Sequence, residues 1–402
     1  MKLLDPFLQW QDEIKTVRRD LHAHPELAFE EQRTSDRVAE LLTRWGIEID
    51  RGLGGTGVVG ILKGNADGPA IGLRADMDAL PMQEINEFAH ASKHDGKMHG
   101  CGHDGHTAML LNAARYLAEH RDFAGTVYLI FQPAEEGGNG GARRMIEDGL
   151  FEKFPMQAVF GMHNWPGMAV GEFAVTPGPI MASSNIFTIT VTGKGAHAAM
   201  PHLGSDPVMA AVQIAQSLQT IVTRNRNPLQ SAVLSITQIH AGSAMNVIPG
   251  EAKLMGTVRT FTTDTLDLIE SRMREIVQGI GTAMGCQAEL AFQRNYPPTF
   301  NSEPETALCV EVMSSIVGPD NVDPRVTPTM GAEDFAFMLE KVPGCYVWIG
   351  NGMGEHRETG HGLGPCMLHN GSYDFNDELL PLGATYWVTL VNHWFAHNKG
   401  NY

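Results

Sequence analysis

The chain has 402 residues, more than one hydrophobic core ordinarily serves, so two domains are expected. Apolar residues at 43% and charged residues at 19% make a globular composition, not a disordered one. A net charge of -17 with no lysine or arginine run argues against a nucleic-acid or anionic-membrane partner, because a broad positive face is missing. The opening residues, MKLLDPFLQWQDEIKTVRRD, meet Asp5, Asp12 and Glu13 before an uninterrupted apolar run can form, so no cleaved leader is expected. Helical spacing of Val38, Leu41, Leu42 and Trp45, closed by Gly46, predicts a helix over 31–45. GVVGILKG (57–64) and IGLRA (71–75) read as buried strands, and a helix follows at about 104–120. TVYLIFQP (126–133) is a strand, ARRMIEDGLF a helix and AVFGMH (158–163) another strand. Strands alternating with helices predict an α/β domain whose mostly parallel sheet carries helices on both faces.

A second rhythm starts near residue 185. NIFTITVTG alternates as a strand, DPVMAAVQIAQSLQTIV is helical, and AVLSITQIHAG and KLMGTVRTF are strands. TLDLIESRMREIVQGIGTAMG is a helix and QAELAFQRNY a last strand. This β-α-β-β-α-β order is ferredoxin-like, a complete small domain. After Pro297-Pro298 the α/β rhythm returns, with helices near 304–317 and 332–341, the strand CYVWIG and a closing helix at about 377–395. The expected division is therefore 1–184 with 297–402 for the α/β domain, and 185–296 for an insert. Five scattered cysteines are an odd number and no disulfide framework, and they fit a reducing cytoplasm.

Loops at strand ends converge on one crevice in open α/β sheets, and four here are rich in metal-ligand types. In MHGCGHDGH (98–106), Cys101 and His103 lie two apart in a glycine-rich loop, and thiolate and imidazole both suit zinc-like metals. A lone cysteine is ordinarily a small buried apolar group; three histidines, a cysteine and an aspartate within nine residues are not ordinary. In FQPAEEGG (131–138), Glu135 and Glu136 can divide labour, one binding metal and the other acting as a base on water. His163 closes a strand. In HGLGPCMLHNGSYDFND (361–377) His369 is the candidate ligand, with Cys366, His361 and the nearby His356 as alternatives that spacing leaves open. Asp76 and Asp78 follow a strand, and Asp78 is as well placed to orient a ligating histidine as to be a solvated turn residue. The insert adds His197, His202, Asn246 and Arg259, able to bind a carbonyl oxygen and a carboxylate.

HGCGHDGHTAMLL, QPAEEGG and GAEDFAF, in this order, resemble the metallo-aminoacylase, hippurate-hydrolase and auxin-conjugate-hydrolase branch of the dinuclear metallopeptidase superfamily, and the resemblance runs from RRDLHAHPELAFEE (18–31) to LHNGSYDFND (368–377). It implies a metal-dependent amidohydrolase acting on N-acyl amino acids. Metallo-dipeptidase or carboxypeptidase activity is the alternative, and a catalytically silent metal-binding protein a more distant one. It implies two divalent ions, Zn or Mn, with Co or Ni possible, held by Cys101, His103, Glu136, His163 and His369, with Glu135 as general base. Relatives in other branches use HxD where this chain has Asp76-Met77-Asp78, so Cys101 stands in for a missing histidine and Asp78 keeps the orienting acid's place. His197 resembles the residue that a partner subunit supplies to polarise the scissile carbonyl, and Asn246 and Arg259 those that hold the substrate carboxylate. The insert would be lid and dimerisation surface of a homodimer or homotetramer. Phe335-Ala336-Phe337 stands where several relatives carry an arginine, which shifts carboxylate recognition toward Arg259.

Overall fold

The computed structural model describes residues 1–398 apart from 139 and 358. The chain forms two compact units, one of Met1–Ile180, Phe300–Thr327 and Asp334–Tyr402, the other of Met181–Thr299 and Pro328–Glu333.

The first unit is built on an eight-stranded sheet. Its strands β1 (Glu48–Leu53), β2 (Gly57–Lys63), β3 (Ala66–Asp76), β4 (Ala124–Gln132), β5 (Ala158–Trp165) and β10 (Gly344–Gly350) run in the order β1-β2-β4-β3-β5-β10, followed by the short pieces Phe173–Ala174 and Val322–Asp323. Within it β4, β3, β5 and β10 are mutually parallel, and β1 and β2 add an antiparallel edge. Every residue of β10, and of β5 as far as Asn164, is buried, so both faces of the sheet centre are covered. The helices are α1 (Gln11–Ala23), α2 (Gln32–Arg44), α3 (His103–Glu119), α6 (Glu303–Val317) and α7 (Leu379–His397). Helix α2 ends at Trp45, where Ile47 N–H donates to the Leu42 carbonyl and Gly46 N–H to that of Thr43, with Gly46 at φ 71°. That is a Schellman close, and glycine is the residue that takes it without strain.

Three sequence expectations change here. Helix α1 is not among the elements expected from the sequence; it buries Ile14, Val17 and Leu21, and also Arg18 and His22. The helix expected over ARRMIEDGLF splits into Gly141–Glu147 and Leu150–Lys153, because Gly149 turns to φ 97° between them. The helix expected at 332–341 shrinks to Ala336–Leu339, because the Asp334 carboxylate before it is tied to Arg74, Gln132 and the Ala142 N–H.

The second unit has an antiparallel sheet of β6 (Ser184–Thr192), β7 (Ala232–Ala241), β8 (Glu251–Thr260) and β9 (Gln287–Tyr296) in the order β7-β8-β6-β9. Helices α4 (Pro207–Thr220) and α5 (Thr263–Ala283) share one core with it. Phe187, Ile189 and Val191 of β6 enter that core at every second position, while Ile186, just before them, faces out, 45% exposed. Pro328–Glu333 joins this unit through bonds from Ala182 N–H to the carbonyls of Thr329 and Gly331, although the sequence division leaves that segment with the first unit.

Candidate functional site

Adjacent parallel strands β4, β3 and β5 end together, at Gln132, Asp76 and Trp165. The turns after β3 and β4 therefore bring Asp78, Glu135 and Glu136 to the carboxyl end of the sheet, where His163 stands near the end of β5. The loop before α3 adds Cys101, the first residue of α3 adds His103, and the loop before α7 adds His369.

The donors interlock. Cys101 Sγ is 3.4 Å from His163 Nε2, and His369 Nε2 is 3.0 Å from Glu136 Oε1. Among the described residues, Cys101, His103 and His163 present ligand atoms all within 4.8 Å of one another, as do Cys101, Glu136 and His369, and also His103, Glu135 and Glu136. These three overlapping groups make one cluster of six side chains. Asp78 lies beneath it: one carboxylate oxygen is 3.2 Å from His103 Nδ1, and the other accepts from the Glu136 N–H at 2.9 Å.

Two rings have their tautomers set by carbonyls, which can only accept. His103 Nδ1 is 2.9 Å from the Asp78 carbonyl, and His163 Nδ1 is 2.6 Å from that of Asn164. Each Nδ1 therefore carries the proton and each Nε2 turns a lone pair toward the cluster. His103 Nε2 is buried with no hydrogen-bond partner. A buried lone pair beside a thiol and several carboxylates is a set of donors lacking an acceptor of electron pairs, and a divalent cation fits it. Burial lowers His103, but the carboxylates of Asp76, Asp78 and Glu136 outweigh it and raise the ring to about 10, so these acids hold on Nε2 a proton that a bound cation would displace. Burial, then the carboxylates of Glu136, Glu135 and Asp76, push the Cys101 thiol well above its ordinary range. Burial, with His106 and His103 nearby, holds His163 well below the usual imidazole range, as a neutral ligand must be. A cation in contact reverses the penalty on the thiolate.

The scaffold around the cluster is hydrogen-bonded in detail. Asp76 pairs with Arg74 at 2.7 Å and with His106 Nδ1 at 2.7 Å. Asn164 donates from its backbone to His106 Nε2, from its side chain to the Cys101 carbonyl, and accepts from Tyr373 Oη at 2.8 Å. Gly102 stands at φ 92° between the two ligand-type residues, and a Cβ there would collide with Asn164 and Tyr373. Ala134 at φ 52° is fixed by its N–H to Glu31, whose carboxyl burial raises to about 7. His369 is itself at φ 58°, tied by its N–H to the Gly100 carbonyl. Such strained backbone collects where geometry serves chemistry.

Of the alternatives in the fourth loop, His369 joins Glu136, whereas Cys366 Sγ lies 3.8 Å from His356 Nε2, and His361 Nε2 lies 3.3 Å from Asp374. His197, Asn246 and Arg259 belong to the second unit. His197 and Val247 pair across two-residue strands, and Asn246 accepts the Ala198 N–H, so His197 and Asn246 are neighbours, both exposed. Arg259 lies opposite Val233 on β8, half-buried, and burial lowers its pKa. His202 is exposed in a single turn, Pro201–Leu203. Sequence reasoning passed over Arg74, Glu31, Asn164, Tyr373 and Asp334. Arg74, Asn164 and Tyr373 are not metal-ligand types, Glu31 and Asp334 lie outside the four ligand-rich loops although Asp334 groups with Glu135 and Glu333, and each acts through a partner distant in sequence.

The pattern of peptidase family M20/M25/M40 matches residues 72–393. The chain is similar to a hippurate hydrolase from Campylobacter jejuni, 41% identical over 97% of this chain and 99% of that one. It is also similar to thermostable carboxypeptidase 2 from Saccharolobus solfataricus, 40% identical over 95% of each. Among solved structures it resembles a Bacillus subtilis protein described as a dinuclear metal binding peptidase, with TM-score 0.82 and 36% identity over 96% of this chain and 98% of that one.

Proposed function

The chain belongs to peptidase family M20/M25/M40, and on that premise we propose that it hydrolyses the amide bond of N-acyl amino acids, releasing a carboxylic acid and a free amino acid. The observation that carries the reading is the cluster of Cys101, His103 and His163, all buried, with the half-buried Glu136 and the exposed His369 closing it and a second carboxylate, Glu135, at its side. Those five residues would hold two divalent cations, Zn²⁺ or Mn²⁺ by preference and Co²⁺ or Ni²⁺ as alternatives. When bound, the cations supply Lewis acidity, polarising a carbonyl and lowering the pKa of water toward ~7.

Glu135, 7% exposed, accepts the proton of the attacking water and returns it to the nitrogen of the leaving amine. Asp78 keeps the His103 ring turned to the cluster and fixes the Glu136 backbone. His197, presented by a second copy of the chain, donates to the carbonyl oxygen as negative charge builds on it. Asn246 and Arg259 hold the substrate carboxylate. The second unit then acts as lid and dimerisation surface of a homodimer or homotetramer working in the cytoplasm. No helix among the described residues is long and apolar enough to cross a membrane.

A carboxypeptidase or dipeptidase activity is the second reading, favoured by the 40% identity to a carboxypeptidase. It uses the same residues and differs only in the acyl group accepted. The test is turnover of N-benzoylglycine, N-acetyl amino acids and dipeptides by protein loaded with Mn²⁺ or Zn²⁺. N-acyl amino acids should be cleaved with the highest kcat/KM. Faster cleavage of dipeptides would establish the second reading, and no turnover of any would overturn both.

A further inference from the structure

Helices α1, α2 and α3 enclose a groove of about 180 Å³ that the proposed chemistry does not use. Its walls are apolar: Ile14 and Val17 from α1, Leu41 from α2, and the indole of Trp45 at the end of α2. Asn112 of α3 lines it from below, only 1% exposed, and its side-chain nitrogen is buried without a hydrogen-bond partner. A buried amide in a helix interior is a poor choice for packing, because asparagine is a weak helix former and its unmet N–H is costly.

The rim is cationic on balance. Arg37, Arg44 and Arg115 line the groove, together with one carboxylate, Glu13. Arg37 and Arg44 share one carboxylate, Glu40, at 2.8 and 2.5 Å, and Arg115 bonds Glu13 at 2.8 Å. Three guanidinium groups against these two carboxylates leave a local excess of positive charge, on a chain whose net charge is -17. Arg115 is further fixed by lying 4.0 Å over the Trp10 ring.

An unmet donor at the floor calls for an acceptor oxygen, guanidinium groups at the rim for an anion, and the walls for an apolar body. We propose that this groove is a binding site for a small organic carboxylate with an apolar body, separate from the metal-ligand cluster. Asn112 lies nine residues along α3 from His103, about 13 Å by helical rise. A ligand there would sit on the helix whose first residue belongs to that cluster.

The experiment uses the metal-loaded full chain with 5-fluorotryptophan in place of its six tryptophans. Trp45→Phe assigns the Trp45 fluorine resonance. Benzoate is the probe, and benzyl alcohol and inorganic phosphate are the uncharged and purely anionic controls. Benzoate should move the Trp45 resonance saturably, with an affinity in roughly the millimolar range. Asn112→Leu and Asn112→Ala should each weaken that response by about tenfold, with the other tryptophan resonances unmoved as evidence of an intact fold. A Trp45 resonance that benzoate leaves in place would overturn the proposal. So would an equal response in both Asn112 variants, or a response that phosphate or benzyl alcohol reproduces at the same concentration. Because Trp45 reports on the groove alone, the outcome does not depend on whether the chain hydrolyses amides.

Discussion

His103 and His163 are almost fully buried, and each ring is fixed through Nδ1 by a backbone carbonyl, whereas in the second unit His197 stands exposed on a two-residue strand and Asn246 in the turn just before that strand's partner. The first pair is set in place before any ligand arrives. The side chain of His197 is held only locally, by the Ala199 N–H at 3.1 Å to Nδ1. Preorganised donors suit a permanent cation site, since they cost no rearrangement when charge develops. Exposed groups on a separate unit suit a role that begins only when substrate or a second copy is present. On this reading, changes in the first unit should alter binding of metal, the chemical step or folding, and changes at His197 should alter the chemical step alone.

The largest expected effect tests the buried side of that contrast. Glu135→Gln should lower kcat by roughly 10²- to 10⁴-fold while metal content stays at the wild-type level. Steady-state kinetics on metal-matched samples would check it, and near-normal turnover would remove Glu135 as the base. Next is Arg18→Met, deep under the same loops. Arg18 bonds Asp374 at 2.9 Å and Asp377 at 2.7 Å, with Asp104 at 3.5 Å. Removing the guanidinium strands those carboxylates, which should cost about 3–5 kcal/mol in urea unfolding. A loss within ~0.5 kcal/mol would show that the network is not what holds the 361–377 loop.

His197→Ala probes the exposed side. It should lower kcat by about 10²- to 10³-fold with the unfolding midpoint unchanged; a shifted midpoint would mean that His197 is structural. The smallest effect is a slope with pH. His22 is wholly buried, which opposes its charge, but Asp104 and Glu84 at its two nitrogens raise it to about 10 from 6.5. A raised histidine contributes stability in full below about 6.5 and loses it as pH climbs toward 10. The stability gap between wild type and His22→Gln should therefore be flat below pH 6.5 and close progressively above it, and a gap that widens there would contradict the assignment.

How much of this was legible depended on distance along the chain. Cys101 with His103, and Glu135 with Glu136, could be found from spacing, because each pair shares one loop. His369 could not be told from Cys366 by spacing, since Glu136, the partner that separates them, is more than 200 residues away. Asp78 was an even choice between orienting acid and turn residue until His103 and the Glu136 N–H were seen on its two oxygens. Arg18 and His22 lie in RRDLHAHPELAFEE, which marks the resemblance without assigning either a role, and their meaning lies in Asp374, Asp104 and Glu84, contacts that no local periodicity encodes. The sheet was legible because strand and helix periods are local, while the break at Gly149 turns on one residue's positive φ.

Metal content of Cys101→Ala tests the account most directly. Elemental analysis after saturation and desalting should find two divalent ions per chain in the wild type and a clear deficit in the variant, because the thiolate has been removed from both donor groups it joins. Full occupancy in Cys101→Ala would contradict the assignment of Cys101 as a ligand, and with it the cluster as drawn.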